Sequence, residues 1–110
     1  MENCLFCKII NKEAPADLVY EDNKLAAFKD INPKAEVHIL IVPKKHIVSI
    51  AQATEEDREL IGDLFLAAKK IAWARNLKGY KLVINVGREA GQMVEHLHLH
   101  LLGGDPMNMP

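Results

Sequence analysis

Three histidines alternate with leucines near the end of the chain, at positions 96, 98 and 100. Because successive side chains of a β-strand point to opposite faces, the imidazoles would line one face and the leucines the other. Burying three imidazoles without hydrogen-bond partners would be costly, whereas near neutral pH an imidazole can act as nucleophile, acid, base or metal ligand. The row therefore indicates a reactive surface that could hold a polar group such as a phosphate chain.

Apolar periodicity predicts the elements that would position this row. A short helix is predicted at Cys4–Asn11, strands at Leu18–Glu21, Leu25–Phe28, Val37–Val42, Lys81–Val86 and Val94–Leu102, and a long helix from Thr54 that Gly79 stops. The order of helix, three strands, helix and two strands indicates an α+β domain with a mostly antiparallel five-stranded sheet. Strand parity places His38 on the same face as Leu40 and Val42.

Length and composition are those of one compact domain, residues 1–110, in which 49% of residues are hydrophobic. A net charge of −1 argues against nucleic-acid binding and against membrane-surface binding. No apolar run approaches the ~20 residues that span a bilayer, and the first residues do not resemble a signal peptide. We therefore expect a cytoplasmic protein whose two cysteines are reduced.

Residues 91–104, GQMVEHLHLHLLGG, closely resemble the signature of the histidine-triad (HIT) nucleotide-binding proteins, in which single apolar residues separate three histidines. Residues 4–10, 27–33 and 38–46 are similar to the family's other segments, in its order and spacing. The resemblance covers nearly the whole chain and is closest to the small branch of purine nucleoside phosphoramidases. It implies a HIT-like fold and a homodimer paired through the long helix and the 81–86 strand.

The resemblance also implies the chemistry of the histidines. His98 would attack the α-phosphorus of a purine nucleoside phosphoramidate, an AMP or GMP derivative, and water would then release the monophosphate from the nucleotidyl-histidine. His100 is similar to the family residue that contacts the phosphate and the leaving group, and His38 is similar to its upstream fourth histidine. His96 would orient the row, and a main-chain carbonyl near Gly91 could hold the nucleophile in its attacking tautomer. This chemistry requires no cofactor.

The nucleotide site that the resemblance implies extends beyond the histidines. Asp30 matches the family's ribose contact, since a carboxylate accepts hydrogen bonds from ribose hydroxyls, although an aspartate also suits a turn before Asn32-Pro33. The other implied contacts are Leu5, Phe6, Ile9, Phe28 and Ile31 around the base, and Asn85, Gly91, Gln92, Met93 and Val94, with His98 and His100, near the phosphate. The apolar members would fit a core equally well, and Gly91 would fit a turn.

Met93 departs from the family's pattern, which usually has serine at this position. A serine hydroxyl can donate a hydrogen bond toward the leaving group, whereas a thioether cannot, so only the main-chain N–H of Met93 remains. The departure affects the expected rate and leaving-group preference but not the nucleophile. Residues 105–110 also lack the aromatic C-terminal segment of the family.

Cys4 and Cys7 have the C-x-x-C spacing that can chelate a zinc ion. His46 and His96 are similar to the positions that zinc-bearing relatives use, which would complete a structural Cys₂His₂ site. The alternative is that both cysteines are small, partly buried residues of the helix.

Three other functions remain open at the level of sequence. The chain could be a non-catalytic nucleotide-binding scaffold in which Met93 marks lost chemistry, or a dinucleoside polyphosphate hydrolase of a related branch. It could also be a metalloenzyme, with His96 and His98 as a metal-binding pair on one strand.

Overall fold

The computed structural model describes residues 3–104, so the C-terminal run compared above, residues 105–110, lies outside the described part. The elements are α1 (Leu5–Ile10), β1 (Leu18–Glu21), β2 (Leu25–Lys29), β3 (Val37–Pro43), α2 (Arg58–Ala74), β4 (Tyr80–Val83) and β5 (Leu99–Gly103). The strands form one sheet in the order β1-β2-β3-β5-β4, with every neighbouring pair antiparallel. The predicted α+β architecture is confirmed.

The two helices cover opposite faces of the sheet. Leu64, Ala68 and Ile71 of α2 belong to a cluster with the three leucines of the histidine row. Phe6 and Ile9 of α1 belong to a second cluster, on the other face. Because apolar side chains cover both faces, the central strand β3 is almost entirely buried.

Helix α2 begins and ends differently from the prediction. The Asp57 carboxylate accepts the Thr54 N–H at 3.0 Å, and a 3₁₀ turn at Glu55–Asp57 precedes the α-helix. The helix ends at Ala74, because Asn76 adopts a φ of +59°. Asparagine tolerates the left-handed conformation that terminates helices, so the prediction that Gly79 stops the helix was wrong.

Strands β4 and β5 are both shorter than predicted. The prediction began β5 at Val94, but the His96 N–H donates to the Val94 carbonyl at 2.9 Å, a three-residue turn that interrupts extended backbone. The β3–β5 ladder therefore reaches only the pair Ile41–Leu99. The β4 ladder stops correspondingly at the pair Val83–His100, so residues 84–86 are not part of the strand.

The outward face of α2 is apolar as well as charged. Leu66 is 65% exposed and Trp73 is 83% exposed, on the side of the helix away from the sheet. Among residues 3–104, no helix combines the length and the apolar composition required to cross a bilayer.

Candidate active site

The histidine row keeps its predicted alternation, although only its last member lies in β5. Leu97, Leu99 and Leu101 point into the α2-side core. His98 packs against Phe6 on the other face, with ring centroids 5.1 Å apart. The rings of His98 and His100 are neighbours at 4.9 Å. The alternation therefore includes residues 97 and 98, which lie before the start of β5.

His98 is buried and is held by one main-chain hydrogen bond. Its Nδ1 lies 2.8 Å from the His96 carbonyl, so Nδ1 carries the proton and donates it. Nε2 is therefore the unprotonated nitrogen of the neutral ring. Burial lowers the pKa of His98, while this hydrogen bond and the charge of Asp30 act in the opposite direction. The expected carbonyl near Gly91 does not serve here, because the turn at Val94–His96 brings the His96 carbonyl to the ring instead.

His38 and His100 form a hydrogen-bonded pair beside the nucleophile. The Lys34 N–H donates to Nδ1 of His38 at 2.9 Å, so the proton of the neutral His38 ring is on Nε2. Nε2 donates to Nδ1 of His100 at 2.8 Å, which leaves the His100 proton on its Nε2. Burial lowers the pKa of His38, and it lowers the pKa of His100 to about 4. Both rings are therefore neutral at pH 7.

Asp30 makes the expected turn contact and also lies beside His38. Its Oδ1 accepts the Asn32 N–H at 2.8 Å, which is the expected turn contact. Its Oδ2 lies 3.4 Å from Nε2 of His38, and 20% of the side chain is exposed. The carboxylate thus lies at the edge of the histidine pair and can still accept hydrogen bonds from a ligand.

The predicted base-contact residues divide into buried and exposed sets. Phe6, Ile9 and Phe28 are buried in one cluster, and Phe6 also contacts Phe28 edge-on at 5.3 Å. Leu5 is 47% exposed and Ile31 is 88% exposed. Of this predicted set, Leu5 and Ile31 are therefore the members that remain exposed to a ligand.

The loop between β4 and β5 corrects two further expectations. Asn85, predicted to lie on a strand, is in the loop, where its Nδ2 donates to the Ala90 carbonyl at 2.6 Å. Gln92, predicted to contact the nucleotide, is only 4% exposed, and loop main chain occupies its side-chain amide. Met93 is 90% exposed, and Val94 packs partly against the Phe6 cluster.

The N–H groups of Met93 and Val94 are available to a ligand. Among residues 3–104, no protein acceptor receives either of them. Gly91, just before them, has a φ of +92°, a conformation that glycine adopts without strain. Both the turn role and the phosphate role considered for Gly91 are consistent with this position.

The four candidate metal ligands come together at the start of α1. Nδ1 of His96 lies 3.2 Å from Sγ of Cys4 and 3.6 Å from Sγ of Cys7, and Nδ1 of His46 lies 3.3 Å from Sγ of Cys7. All four donor atoms are within 4.8 Å of one another. Tetrahedral zinc with bonds of about 2.3 Å to sulfur and about 2.0 Å to nitrogen would separate these atoms by roughly 3.5 Å. The residues therefore fit a zinc ion.

A second group of possible ligands consists of Asp30, His38 and His100. The two groups differ in the hydrogen bond made by the ring nitrogen that would not bind the ion. A metal-binding histidine normally donates its other ring N–H to an acceptor. Nε2 of His96 does so, to the Pro43 carbonyl at 2.8 Å. Nδ1 of His38 instead faces a donor, the Lys34 N–H, which fixes a proton on the nitrogen that would have to bind the ion. Of these two groups of described residues, the cysteine cluster is therefore the one that contains a histidine with the hydrogen bond expected of a metal ligand.

His96 belongs to the cysteine cluster through its ring. Both ring nitrogens are engaged there, and burial lowers the pKa of His96 to about 4, which keeps the ring in the neutral, metal-binding form. His96 therefore contacts His98 through its carbonyl and not through its imidazole. This arrangement also contradicts a metal shared by His96 and His98, since the nitrogens of the two rings face different partners.

Sequence reasoning missed the contacts made by main-chain groups. Neither the Lys34 N–H nor the His96 carbonyl has a side-chain signature, so no residue type could have indicated them. The buried position of Gln92 was also missed, because a glutamine in a glycine-rich loop is ordinarily exposed.

The fold and the site define a small antiparallel α+β domain with a triad of alternating histidines and a fourth histidine on the adjacent strand. The family model described as "Scavenger mRNA decapping enzyme C-term binding" matches residues 3–109. A HIT-like protein of Synechocystis is 50% identical over 110 residues, which cover 99% of this chain and 96% of that protein. The chain belongs to the histidine-triad (HIT) family.

Solved structures agree with this assignment. A HIT family hydrolase from Legionella pneumophila has a TM-score of 0.96 and 51% identity, with 98% of each chain covered. A histidine triad nucleotide-binding protein from Candida albicans has a TM-score of 0.84 and 33% identity, covering 98% of this chain and 83% of that one. The family to which the chain belongs thus includes a named hydrolase and a named nucleotide-binding protein of the same fold.

The neutral His38–His100 pair predicts a loss of stability in acid. The folded-state pKa of His100, about 4, lies below the ordinary value of 6.5, so the unfolded chain binds protons first as the pH falls. Stability should be greatest above pH 6.5 and should decline from there toward pH 4. Between pH 7 and pH 5, His100 should account for about 1–2 kcal/mol of the free energy of unfolding.

Urea unfolding of the wild type and of His100→Asn at both pH values measures this contribution. Release of an ion from the cysteine cluster in acid would be common to both proteins and cancels in the comparison. An equal loss of stability in the two proteins would contradict the neutral, buried state of His100.

Proposed function

We propose that the protein hydrolyses the P–N bond of purine nucleoside phosphoramidates through a nucleotidyl intermediate on His98. The observation that carries the proposal is the hydrogen bond from Nδ1 of His98 to the His96 carbonyl, 2.8 Å long. It holds the proton on one nitrogen and leaves a lone pair on the other. A neutral imidazole in a fixed tautomer can attack phosphorus without help from a metal or a separate base.

The first step would join Nε2 of His98 to the α-phosphorus and break the P–N bond. The leaving nitrogen would take a proton from a water molecule, and the Nε2–H of neutral His100 would donate a hydrogen bond to the phosphate. In the second step, the hydroxide left from that water would attack phosphorus, and the bond between phosphorus and Nε2 of His98 would break. The products are the monophosphate and free His98.

The lack of charge on the three histidines favours an amidate over a dinucleoside polyphosphate. Burial keeps His38, His98 and His100 uncharged, so the pocket offers hydrogen-bond donors instead of a group of cations. The free N–H groups of Met93 and Val94 are donors of this kind. A phosphoramidate ester carries a single negative charge at phosphorus, whereas a polyphosphate bridge carries several that neutral donors would leave unbalanced.

We further propose that the cluster of Cys4, Cys7, His46 and His96 holds a structural zinc ion. When bound, the ion would tie α1 to the segment after β3 and to the histidine row, and it would take no part in the attack on phosphorus. Without a cation, burial and the neighbouring Cys4 raise the pKa of Cys7 to about 11. Binding of the ion would therefore displace a proton from this thiol.

We also propose that the chain forms a homodimer through the outward face of α2 and the edge strand β4. Trp73 and Leu66 are largely exposed on that face, and Tyr80 at the start of β4 is 37% exposed. β4 is the last strand of the sheet and pairs on one side only. A contiguous exposed apolar surface next to an unpaired strand edge is typical of an interface between copies.

His98→Asn should reduce turnover of adenosine 5′-phosphoramidate by at least about 10³-fold, because it removes the atom that bonds to phosphorus. AMP should still bind, since His100 and the main-chain donors remain. Chromatographic measurement of monophosphate release, calorimetry with AMP and the intact mass of rapidly quenched enzyme test these points. The wild type should gain the mass of one nucleotidyl group, and the variant should gain none.

Three results would contradict this assignment. They are near wild-type turnover in His98→Asn, a nucleotidyl group on another residue, and AMP binding by a wild type that cleaves no amidate. The last result would identify a non-catalytic binding protein. Faster cleavage of a dinucleoside polyphosphate in the same assay would contradict the substrate class.

Elemental analysis of protein purified without chelator should find one zinc ion per chain. Cys7→Ser should lose the ion and lower the midpoint of thermal unfolding by on the order of 5–10 °C, because a cross-link between three segments is lost. His100→Asn, the matched control in the histidine row, should keep the ion. A zinc content that Cys7→Ser leaves unchanged would disprove the proposed ligand set.

Sedimentation equilibrium should give twice the 12.3 kDa mass of the chain. Trp73→Lys should give a monomer, because it places a charge at the centre of the buried surface, whereas Leu18→Lys on the opposite edge strand should remain dimeric. Trp73 is the only tryptophan, so its emission should also shift to the red when the wild type is diluted. A dimer of unchanged affinity in Trp73→Lys would exclude this interface.

A further inference from the structure

The side chain of Gln92 makes three hydrogen bonds within the protein and is 4% exposed. Its Oε1 accepts the Gly87 N–H at 2.8 Å. Its Nε2 donates to the Val48 carbonyl at 2.7 Å and to the Val94 carbonyl at 3.0 Å. Both amide protons and one acceptor position are thereby used, so the side chain is committed to the main chain around it.

These contacts connect the segment after β3 with the segment before β5, beyond the point where the two strands pair. The β3–β5 ladder ends at the pair Ile41–Leu99. Farther along, the only main-chain hydrogen bond between residues 44–49 and residues 91–98 in the described structure runs from the Leu97 N–H to the Ile47 carbonyl. The Gln92 amide bridges the segments where strand pairing has stopped.

A short chain of hydrogen bonds leads from Gln92 to the nucleophile. The Val94 carbonyl accepts from Nε2 of Gln92 and also from the His96 N–H, at 2.9 Å. The carbonyl of His96 in turn accepts the Nδ1 proton of His98. Gln92 thus anchors the three-residue turn whose last carbonyl determines which nitrogen of His98 is free.

We infer that Gln92 is a positioning residue for the attack of His98. Through the Val94–His96 turn it holds the carbonyl that selects the His98 tautomer, and it fixes the loop that presents the N–H groups of Met93 and Val94. Gln92 does not touch the substrate in this role. The effect on catalysis rests on the function proposed above, whereas the effect on the His98 tautomer does not.

Gln92→Met, which keeps the length of the side chain and removes the amide, tests the inference. The expected result is a fall in kcat of about ten- to a hundredfold, because small errors in placing a reacting group are costly, with a smaller change in KM. Gln52→Met, which changes the other glutamine of the chain, is exposed and lies outside the site, should leave kcat unchanged.

The nitrogen chemical shifts of ¹⁵N-labelled histidine give a readout that general destabilisation would not change. The wild type should show His98 as a single tautomer protonated at Nδ1, with its signals assigned by their absence from His98→Asn. Gln92→Met should show a mixture of tautomers at His98 and an unchanged His38. Gln92→Glu, which keeps the contact with Gly87 but cannot donate to Val94 when ionised, should act in the same direction if the methionine variant does not fold.

An unchanged His98 tautomer in a folded Gln92 variant would overturn the inference, and so would an unchanged kcat. These outcomes differ from a failure of the proposed function. In that case the wild type would release no monophosphate from the amidate, while the tautomer measurement, which needs no substrate, would still give its result.

Discussion

The hydrogen bond from Nδ1 of His98 to the His96 carbonyl is the contact on which the candidate site depends. It determines which ring nitrogen carries a proton, and it holds the ring against Phe6 with the other nitrogen free. The acceptor is a main-chain atom only two residues away, so its position follows from the local backbone. That carbonyl belongs to the last residue of the tight Val94–His96 turn, just before the segment that leads into β5.

His96 connects His98 to the cysteine cluster, because its ring contacts the cysteines and its main-chain carbonyl contacts His98. Its imidazole lies between the cysteine sulfurs and the Pro43 carbonyl, and its own carbonyl accepts from His98. Phe6, which lies between Cys4 and Cys7 in the chain, contacts the rings of both His96 and His98. A change in the cysteine cluster would therefore reach His98 by two short routes, the His96 carbonyl and the ring of Phe6.

Much of the fold and of the site could be predicted from the sequence, because side-chain periodicity and type carry that information. The alternation of the triad, the facing position of His38 and the meeting of Cys4 with Cys7 depend on strand parity and helix spacing, and the structure brings these residues together as predicted. The early end of β4, the late start of β5 and the roles of the His96 carbonyl and the Lys34 N–H were not predicted. They depend on where main-chain ladders stop, which the identity of a single side chain does not encode.

Met93 makes the main chain of its loop more important than it would be in a protein with serine at that position. Its thioether is exposed and cannot donate a hydrogen bond, so in the proposed reaction the leaving group would rely on other donors, such as the N–H groups of Met93 and Val94 and the ring of His100. A rotatable hydroxyl can adjust to a ligand, whereas a peptide N–H points where the backbone directs it. Gln92 and two glycines with positive φ determine the conformation of this loop. The direction of its N–H groups is therefore fixed by the backbone, whereas a serine hydroxyl could rotate toward the ligand.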